Sequence, residues 1–350
     1  MTAPRYKWQP TTAEIAHRYG LPVSQIIRFD HNTSPFSTDW AASIVAPMAR
    51  NLNEYPGASY ASLRGAAASY LGTNAEHVVP GAGVDEIILL IAKAFLNDRS
   101  RACAAIPTYP LYEIASLQQH AEFLAIPRLG PKLEFPLESL GEAAETSDVT
   151  WLCIPNNPTG DHLDRRWIED ITNAAKGVVV IDAAYAEFAG DDWTDFVQKH
   201  DNVIVCQTMS KAFGLAGLRV GFSISSASIA DRLDSVRPPG SISSMSAEIA
   251  EAALREPQRM QRRVLRLTKE RSRFAQALTK LGLRVWPSST NFLLCEVGPT
   301  APTVADNLMA SGLVVRSFPS ESPLGSYLRF TVRAPHENDR LVDALWRHIP

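Results

Sequence analysis

The chain has 350 residues, of which 45% are hydrophobic and 20% charged, and its formal net charge is −3. A chain of this length is expected to divide into two or three compact parts, and this composition excludes a disordered protein. The slightly negative net charge argues against a protein that binds nucleic acid or an anionic membrane surface.

The first 35 residues predict a polar segment with little regular structure. The sequence over residues 12–20 predicts a short capped helix that ends at Gly20, and residues 26–29 predict a short strand. Residues 30–35 are rich in turn formers. From the residues alone, this stretch is interpreted as a connector between domains rather than as a loop over a site.

A helix is predicted over residues 60–71, a strand over 77–80, a glycine turn over 81–83 and a second helix over 85–96. A strand, a glycine turn and a helix N-terminus in succession favour a bound phosphate, because the unpaired N–H groups and the helix dipole both attract an anion. The pattern alone is a weak signal, since many strand-to-helix turns carry glycines.

Between residues 101 and 211, apolar strands alternate with helices. Strands are predicted over residues 102–106, 121–126, 149–154, 178–181 and 202–207. Strands of this kind predict an α/β fold with a mainly parallel sheet covered on both faces. Ligands bind beyond the carboxyl ends of such strands, so the polar residues that follow them should converge: Tyr109, Asn157, Asp182, Tyr185, Ser210 and Lys211.

From about residue 243 the pattern predicts a small α+β domain. Residues 243–281 predict one long helix or two, with a solvated arginine-rich face, and strands are predicted over 282–286, 291–297, 313–316 and 327–332. We therefore predict three parts. Residues 1–34 form an arm that packs with the small domain, residues 35–245 form the large domain, and residues 246–350 form the small C-terminal domain.

Two features predict a cytoplasmic protein. The longest apolar run, residues 87–92, is too short to span a membrane, and residues 1–8 lack the apolar core of a secretory signal. The four cysteines are scattered without metal-ligand spacing. We therefore expect buried free thiols in a reducing compartment, with neither disulfides nor a metal site.

The segment from Thr208 to Gly221 carries the chemistry. A lysine at a strand end, desolvated by glycine-rich turns, can become a nucleophilic amine, and Lys211 is placed in this way. A serine–lysine pair before a glycine turn is by itself usually a solvated loop, so the hypothesis needs support from other residues. Asp182 supplies it, because a carboxylate after the preceding strand can pair with the pyridine nitrogen of pyridoxal phosphate (PLP).

Taken together, these residues describe a PLP site. Lys211 would bind the cofactor aldehyde, Asn157 and Tyr185 would bond the ring hydroxyl, and Tyr109 would lie against the ring. The phosphate would sit on groups at the two glycine turns, namely the N–H groups of Val84 and Asp85, the Ser210 hydroxyl and the Arg219 guanidinium.

The chain resembles the fold-type I, class I/II aminotransferases, and most closely their histidinol-phosphate aminotransferase branch. The resemblance runs from about residue 25 to the C-terminus, and the segments that carry it are Tyr55-Pro56 with Leu63-Arg64, residues 83–86, 107–109, 155–160, 182–185, Ser210-Lys211 to Arg219, 291–293 and 328–332. It implies the PLP-transferase fold, with a mainly parallel sheet in a large domain and a small α+β domain.

The resemblance also implies a ping-pong transamination between an amino acid or amino-alcohol phosphate and a 2-oxo acid. Lys211 would move the proton as general base and acid, supported by Asp182 and Tyr185. Tyr55 would reach the cofactor phosphate of a partner subunit, which implies a homodimer with shared sites. The residues implied to bind or cover the substrate are Arg329, its helper Arg316, and Asn32, so the resemblance assigns a function to the loop at residues 30–35.

Some positions depart from the family pattern. Ala183 stands where glutamate is usual, Val84 where serine or alanine is usual, and Arg333-Ala334 where Gly-Thr is usual. The N-terminal aromatic residue that binds substrate phosphate has no clear match, and Trp8 is the nearest candidate. These departures leave the PLP chemistry intact and the identity of the donor open.

Two alternatives stay open. One is a PLP-dependent decarboxylase similar to threonine-phosphate decarboxylase, whose N-terminal segment is similar to residues 13–35, although the Ser210–Gly217 segment is typical of a transaminase. The other is a non-enzymatic partner domain of the kind found in some transcription regulators. The completeness of the predicted site argues against the second alternative.

Overall fold

The computed structural model describes residues 9–130 and 132–349, so the predicted role of Trp8 lies outside the described residues. Contacts divide the chain into two compact units. The first comprises Phe36–Asn157 and His162–Gln261, and the second comprises the described residues up to Pro35, Pro158–Asp161 and the chain from Arg262 onward. The predicted domain border at residue 245 differs from this division, and the three predicted domains stay a prediction.

The described residues form 13 strands and 14 α-helices. The strands are β1 (Ile27–Arg28), β2 (Val78–Gly81), β3 (Arg101–Ile106), β4 (Glu122–Pro127), β5 (Val149–Cys153), β6 (Val178–Asp182), β7 (Val203–Thr208), β8 (Gly221–Ser225), β9 (Arg284–Val285), β10 (Phe292–Glu296), β11 (Leu313–Val314), β12 (Arg316–Ser317) and β13 (Tyr327–Thr331). The helices are α1 (Thr12–Tyr19), α2 (Ala42–Met48), α3 (Ala61–Leu71), α4 (Val84–Phe95), α5 (Leu111–Gln118), α6 (Leu137–Ala144), α7 (Arg165–Ala174), α8 (Ala186–Ala189), α9 (Thr194–Lys199), α10 (Ala227–Val236), α11 (Ser244–Arg255), α12 (Gln258–Lys280), α13 (Ala301–Ala310) and α14 (Pro335–His348).

The first unit is built on a seven-stranded sheet in the order β2-β8-β7-β6-β5-β3-β4. The five strands from β7 to β4 are mutually parallel, and β8 runs antiparallel to both of its neighbours. The predicted α/β fold with a mainly parallel sheet is confirmed. The prediction lacked β8, which follows Arg219 and joins β2 to the rest of the sheet.

Both faces of this sheet are buried, as the near-continuous apolar strands predict. Successive residues of a strand point to opposite faces, so Val179 and Val180 of β6 belong to two different core clusters. Helix α4 covers one face through Ile87 and Ile91, and helix α7 covers the other through Ile168. The sheet therefore holds its strand ends in fixed positions, which is what a site at its edge requires.

The second unit contains a four-stranded antiparallel sheet, β12-β13-β10-β9, and a two-stranded parallel pair, β1 with β11. The predicted single strand over residues 313–316 is wrong. Val315 separates two short strands, of which β11 pairs with β1 and β12 pairs with β13. The predicted N-terminal helix is confirmed: Thr11 and Glu14 form a capping box, and Gly20 ends the helix at φ 64°.

Within the described ranges, none of the helices carries an apolar stretch long enough to cross a membrane.

Candidate active site

Lys211 lies on a tight loop between β7 and β8. The N–H of Gly214 donates to the Lys211 carbonyl at 3.1 Å, and Gly214 adopts φ 70°, a backbone conformation that a residue with a side chain rarely takes. The N–H of Leu215 donates to the Met209 carbonyl at 2.9 Å and closes the loop. The loop places the Lys211 amine 5.9 Å from the centre of the Tyr185 ring.

Asp182 ends β6 and is only 4% exposed. Its carboxylate accepts the Tyr112 hydroxyl at 2.6 Å and the Ala184 N–H at 3.1 Å. Burial raises the pKa of Asp182 from 3.8 to about 6, against the lowering effect of these hydrogen bonds. Asp85 also raises this pKa and Lys211 lowers it, so both residues act on the same carboxylate.

Tyr112 is a site residue that the sequence reasoning missed. It is fully buried in α5 and stacks on Trp151 of β5, with ring centroids 5.1 Å apart and an angle of 9° between the rings. The Ser116 hydroxyl accepts the Trp151 indole N–H at 3.3 Å and donates to the Tyr112 carbonyl at 2.7 Å. Burial and the neighbouring Asp182 raise the pKa of Tyr112 well above 10, so its hydroxyl is a permanent donor to this carboxylate.

The glycine turn that the sequence predicts as a phosphate site directly precedes α4. Gly83 is the residue before the helix, with φ 82°, and a Cβ added there would lie 2.6 Å from Nη2 of Arg219. Arg219, itself at φ 53°, donates from Nη1 to the Ser210 hydroxyl at 3.4 Å. The turn therefore needs glycine both for its backbone conformation and for the close approach of the guanidinium.

The Asp85 side chain, in the first turn of α4, makes two contacts that the sequence did not predict. Its carboxylate accepts from Nη2 of Arg219 at 2.7 Å and from the Tyr109 hydroxyl at 2.8 Å. The prediction used only the N–H of Asp85. The carboxylate balances the charge of the guanidinium and links the two glycine turns to Tyr109.

The sheet edge brings together most of the predicted cofactor residues. Tyr109 follows β3 and packs edge-on against Tyr112, with ring centroids 5.7 Å apart. Asn157 follows β5, whose Cys153 is the register partner of Asp182. Tyr109, Asp182, Tyr185, Ser210, Lys211, Asp85, Val84 and Arg219 all lie in the first unit around the strand ends and the N-terminus of α4.

The three predicted substrate residues lie in the second unit. Arg316 of β12 and Arg329 of β13 are register partners on adjacent antiparallel strands. Like charges directly opposite each other on a sheet are destabilising, so this pair is not itself a stabilising contact. Arg329 is 7% exposed and its Nη2 donates to the Asp30 carbonyl at 2.6 Å.

Asn32 lies on the loop that follows Asp30. It is 2% exposed and adopts φ 53°. Its N–H donates to the Thr331 hydroxyl at 2.9 Å, and its carbonyl accepts from the Asn291 side chain at 2.9 Å. The loop is thus fixed to β13 two residues beyond Arg329.

The family model of class I and II aminotransferases matches residues 24–345. The chain belongs to this family. The aminotransferase is 33% identical to histidinol-phosphate aminotransferase 2 of Archaeoglobus fulgidus over 332 residues, which cover 93% of this chain and 94% of that protein. The predicted family is therefore confirmed, and the predictions of an enzyme that transfers amino groups and of PLP as its cofactor are confirmed with it.

Solved structures show the same fold. Histidinol-phosphate aminotransferase from Sinorhizobium meliloti, in complex with pyridoxal-5′-phosphate, matches with a TM-score of 0.88 and 24% identity over 98% of this chain and 95% of that one. L-threonine-O-3-phosphate decarboxylase from Porphyromonas gingivalis matches with a TM-score of 0.79 and 24% identity over 91% of this chain and 98% of that one. Because both reaction classes share the fold, the fold alone does not distinguish them.

The residues of the aminotransferase fit PLP. A carboxylate as buried as Asp182, with a pKa raised to about 6, suits a ligand that brings a protonated ring nitrogen. The Gly83 turn, the Ser210 hydroxyl and the Arg219 guanidinium form a donor set suited to a phosphate. Lys211 supplies the amine in the same unit.

Proposed function

We propose that this aminotransferase moves an amino group from a histidinol-phosphate-like donor, an amino acid or amino-alcohol phosphate, to a 2-oxo acid in a ping-pong reaction. The observation that carries the proposal is the buried Asp182 carboxylate, which Tyr112 holds at the same sheet edge as Lys211. The donor class is supported by the relative from Archaeoglobus fulgidus, which is a histidinol-phosphate aminotransferase.

Each group in the first unit has a defined task in this proposal. When bound, PLP supplies an electron sink for the charge left on the substrate α-carbon. The Asp182 carboxylate holds a proton on the ring nitrogen, Lys211 Nζ takes the α-proton and later returns it, and the Tyr185 and Asn157 side chains orient the ring through its hydroxyl. Tyr109 would lie against the ring, and the phosphate would be held by the N–H groups of Val84 and Asp85 together with Ser210 and Arg219.

The arginine pair of the second unit binds the acidic end of the substrate. A carboxylate or a phosphate accepts two parallel hydrogen bonds from a guanidinium, and Arg329 is buried enough to strengthen them. Arg316, its register partner, adds the second positive charge. Asn32, fixed to Thr331, covers the substrate from the N-terminal loop.

We further propose a homodimer in which Tyr55 contacts the cofactor phosphate of the second copy. The Tyr55 side chain is 95% exposed. The segment before it, Asp39–Asn51, includes Trp40, Ile44 and Val45 and has no buried residue. An apolar helix in which Ile44 and Val45 are only partly buried suits a surface covered by a second copy.

The proposed compartment is the reducing cytoplasm. All four cysteines are free and buried in the structure. This state supports a compartment that keeps thiols reduced.

The first test is the donor half-reaction. The PLP-loaded enzyme is mixed with histidinol phosphate alone, and the absorbance band of the lysine-bound cofactor should be replaced by that of pyridoxamine phosphate. Lys211→Ala is the control, and it should lack the first band from the start. If the band of the lysine-bound cofactor persists in Lys211→Ala, the assignment of Lys211 is wrong.

The decarboxylase alternative is tested on the same enzyme. Phosphothreonine and a panel of amino acids replace histidinol phosphate, and carbon dioxide and pyridoxamine phosphate are both measured. Carbon dioxide released without pyridoxamine phosphate would replace the transaminase proposal. Pyridoxamine phosphate without carbon dioxide would retain it with a different donor.

A further inference from the structure

The loop that carries Tyr55 is held by two arginines that share one carboxylate. Arg64 donates from Nε to the Ser59 carbonyl, and Arg237 donates from Nη2 to the Ala58 carbonyl, both at 2.8 Å. Both guanidinium groups bond Asp234, Arg64 at 2.6 Å and Arg237 at 2.7 Å. These bonds lower the pKa of Asp234, although it is partly buried, so it stays ionised and keeps both arginines in place.

Tyr60 ends this loop, and tertiary contacts hold it in a backbone conformation that its own preferences disfavour. It adopts φ 48° and ψ 37°, a left-handed conformation that is unfavourable for an aromatic residue. Its hydroxyl donates to the Ile242 carbonyl at 2.8 Å and accepts the Ile242 N–H at 2.9 Å. The side chain is 6% exposed, and Arg237 lies over the ring at 5.2 Å.

The segment that Tyr60 bonds, Ser241-Ile242, is also connected to the glycine turn at residues 81–83. The Ser241 hydroxyl donates to Glu86 at 2.8 Å, and the same Glu86 oxygen accepts the Ala82 N–H at 2.5 Å. Glu86 therefore links the residue before Ile242 to the glycine turn. The Tyr60 hydroxyl connects this segment to the loop that presents Tyr55.

We propose that Tyr60 is a positioning residue, which holds the exposed Tyr55 at the place and angle where it can reach the cofactor phosphate of the second copy. This inference rests on the proposed function, in which Tyr55 acts across the dimer. The reasoning is geometric. A side chain that is 95% exposed has little packing of its own, so the position of its hydroxyl depends on the backbone that carries it. Tyr60 and the Asp234 arginine pair fix that backbone.

The test begins with Tyr60→Phe, which removes only the hydroxyl. The dissociation constant for PLP, measured by absorbance titration of the cofactor-free dimer, should rise about tenfold, the loss expected when the two hydrogen bonds of the buried hydroxyl no longer position a phosphate contact. Tyr327→Phe is the matched control, because Tyr327 is a buried tyrosine of the second unit that packs on Trp286, and its PLP affinity should stay unchanged. An unchanged affinity in Tyr60→Phe would overturn the inference.

A mixed dimer separates positioning across the interface from a structural role within one subunit. Chains carrying Y60F and K211A are given different tags, mixed and purified as the hybrid. The single intact Lys211 then belongs to the Y60F chain, but the Tyr55 that serves it comes from the K211A chain, whose Tyr60 is native. The band of the lysine-bound cofactor should titrate with wild-type affinity. Weak binding in this hybrid would show that Tyr60 acts within its own subunit and would overturn the inference.

The same hybrid made with Y55F in place of Y60F tests separately whether Tyr55 is shared between subunits. If PLP affinity returns to the wild-type value in the Y55F hybrid but not in the Y60F hybrid, the sharing of Tyr55 stands and the role of Tyr60 is overturned. If Y55F is not rescued, both are overturned, while the half-reaction with histidinol phosphate still tests the transamination itself. Should Y60F fold poorly, Asp234→Asn replaces it, since it weakens both arginine contacts on the same loop and should be rescued in the same way.

Discussion

Replacing Asp182 with asparagine should stabilise the cofactor-free enzyme at pH 8 and weaken its binding of PLP. In the unfolded chain Asp182 ionises near 3.8, whereas in the fold burial raises its pKa to about 6. An acid with a raised pKa destabilises the fold once it is ionised, so the cost is absent below about pH 4, grows between about pH 4 and 6, and is complete above that range. At about 1.36 kcal/mol per pKa unit, the complete cost is about 3 kcal/mol.

The asparagine variant avoids this cost but loses part of the hydrogen bonding. Tyr112 and Ala184 each donate to one carboxylate oxygen, and an amide keeps only one acceptor, a loss of about 1 kcal/mol. The net effect is a stabilisation of about 2 kcal/mol at pH 8 that declines to about zero near pH 4.5. The enzyme thus keeps a costly buried charge at the position where the cofactor would use it.

The assay is urea unfolding of the cofactor-free proteins between pH 4.5 and 8 at one fixed protein concentration, because a dimer's stability depends on concentration. Burial also raises the pKa of Glu187 to about 7, which makes the stability of both proteins depend on pH. This contribution is the same in both, so it cancels when the unfolding free energy of one protein is subtracted from that of the other. Asp98→Asn, at an exposed aspartate, serves as control and should change neither stability nor PLP affinity. A difference that does not vary with pH, or an Asp182→Asn protein that is less stable at pH 8, would refute the reasoning.

Two further substitutions test the site, and a third tests the packing at the opposite end of β6. Gly83→Ala places a Cβ 2.6 Å from the Arg219 guanidinium at a positive φ. PLP affinity, measured by absorbance titration, should fall at least about tenfold, and the free energy of unfolding, measured by thermal unfolding, should fall by about 1–2 kcal/mol. Tyr112→Phe removes a donor to the ionised carboxylate and should raise the pKa of Asp182 further. PLP binding should therefore weaken about tenfold at pH 5, where the free carboxyl has to ionise on binding, and less at pH 8, where it is ionised with or without PLP; a loss independent of pH would contradict this. Gly177→Ala places a Cβ 2.1 Å from the Asp148 carbonyl oxygen and should cost about 1–3 kcal/mol of stability, while PLP affinity stays near wild type. An unchanged melting temperature would contradict the packing described.

The arrangement of Tyr112 explains why part of the site was not predictable from sequence. A tyrosine in an amphipathic helix is most simply a core residue, and Tyr112 is indeed fully buried. Only the order of the sheet, which places β5 between β3 and β6, brings the helix after β3 to the carboxylate at the end of β6. The signal that could have indicated it is weak, a second tyrosine three residues after Tyr109.

The amino-acid sequence was enough to predict most of the strands and helices and to put forward the candidate cofactor residues. Apolar runs must be buried, and the glycines and polar residues after them can stand only at strand ends, so Asp182, Ser210 and Lys211 were assigned to one edge before any coordinates. Tertiary structure alone decided which side chains face one another. The opposition of Arg316 to Arg329, the insertion of β8 and the Tyr60 bonds to Ile242 depend on register and on contacts between residues distant in the chain. Periodicity constrains the face on which a side chain lies, but the partner opposite it is set by the packing of the whole sheet.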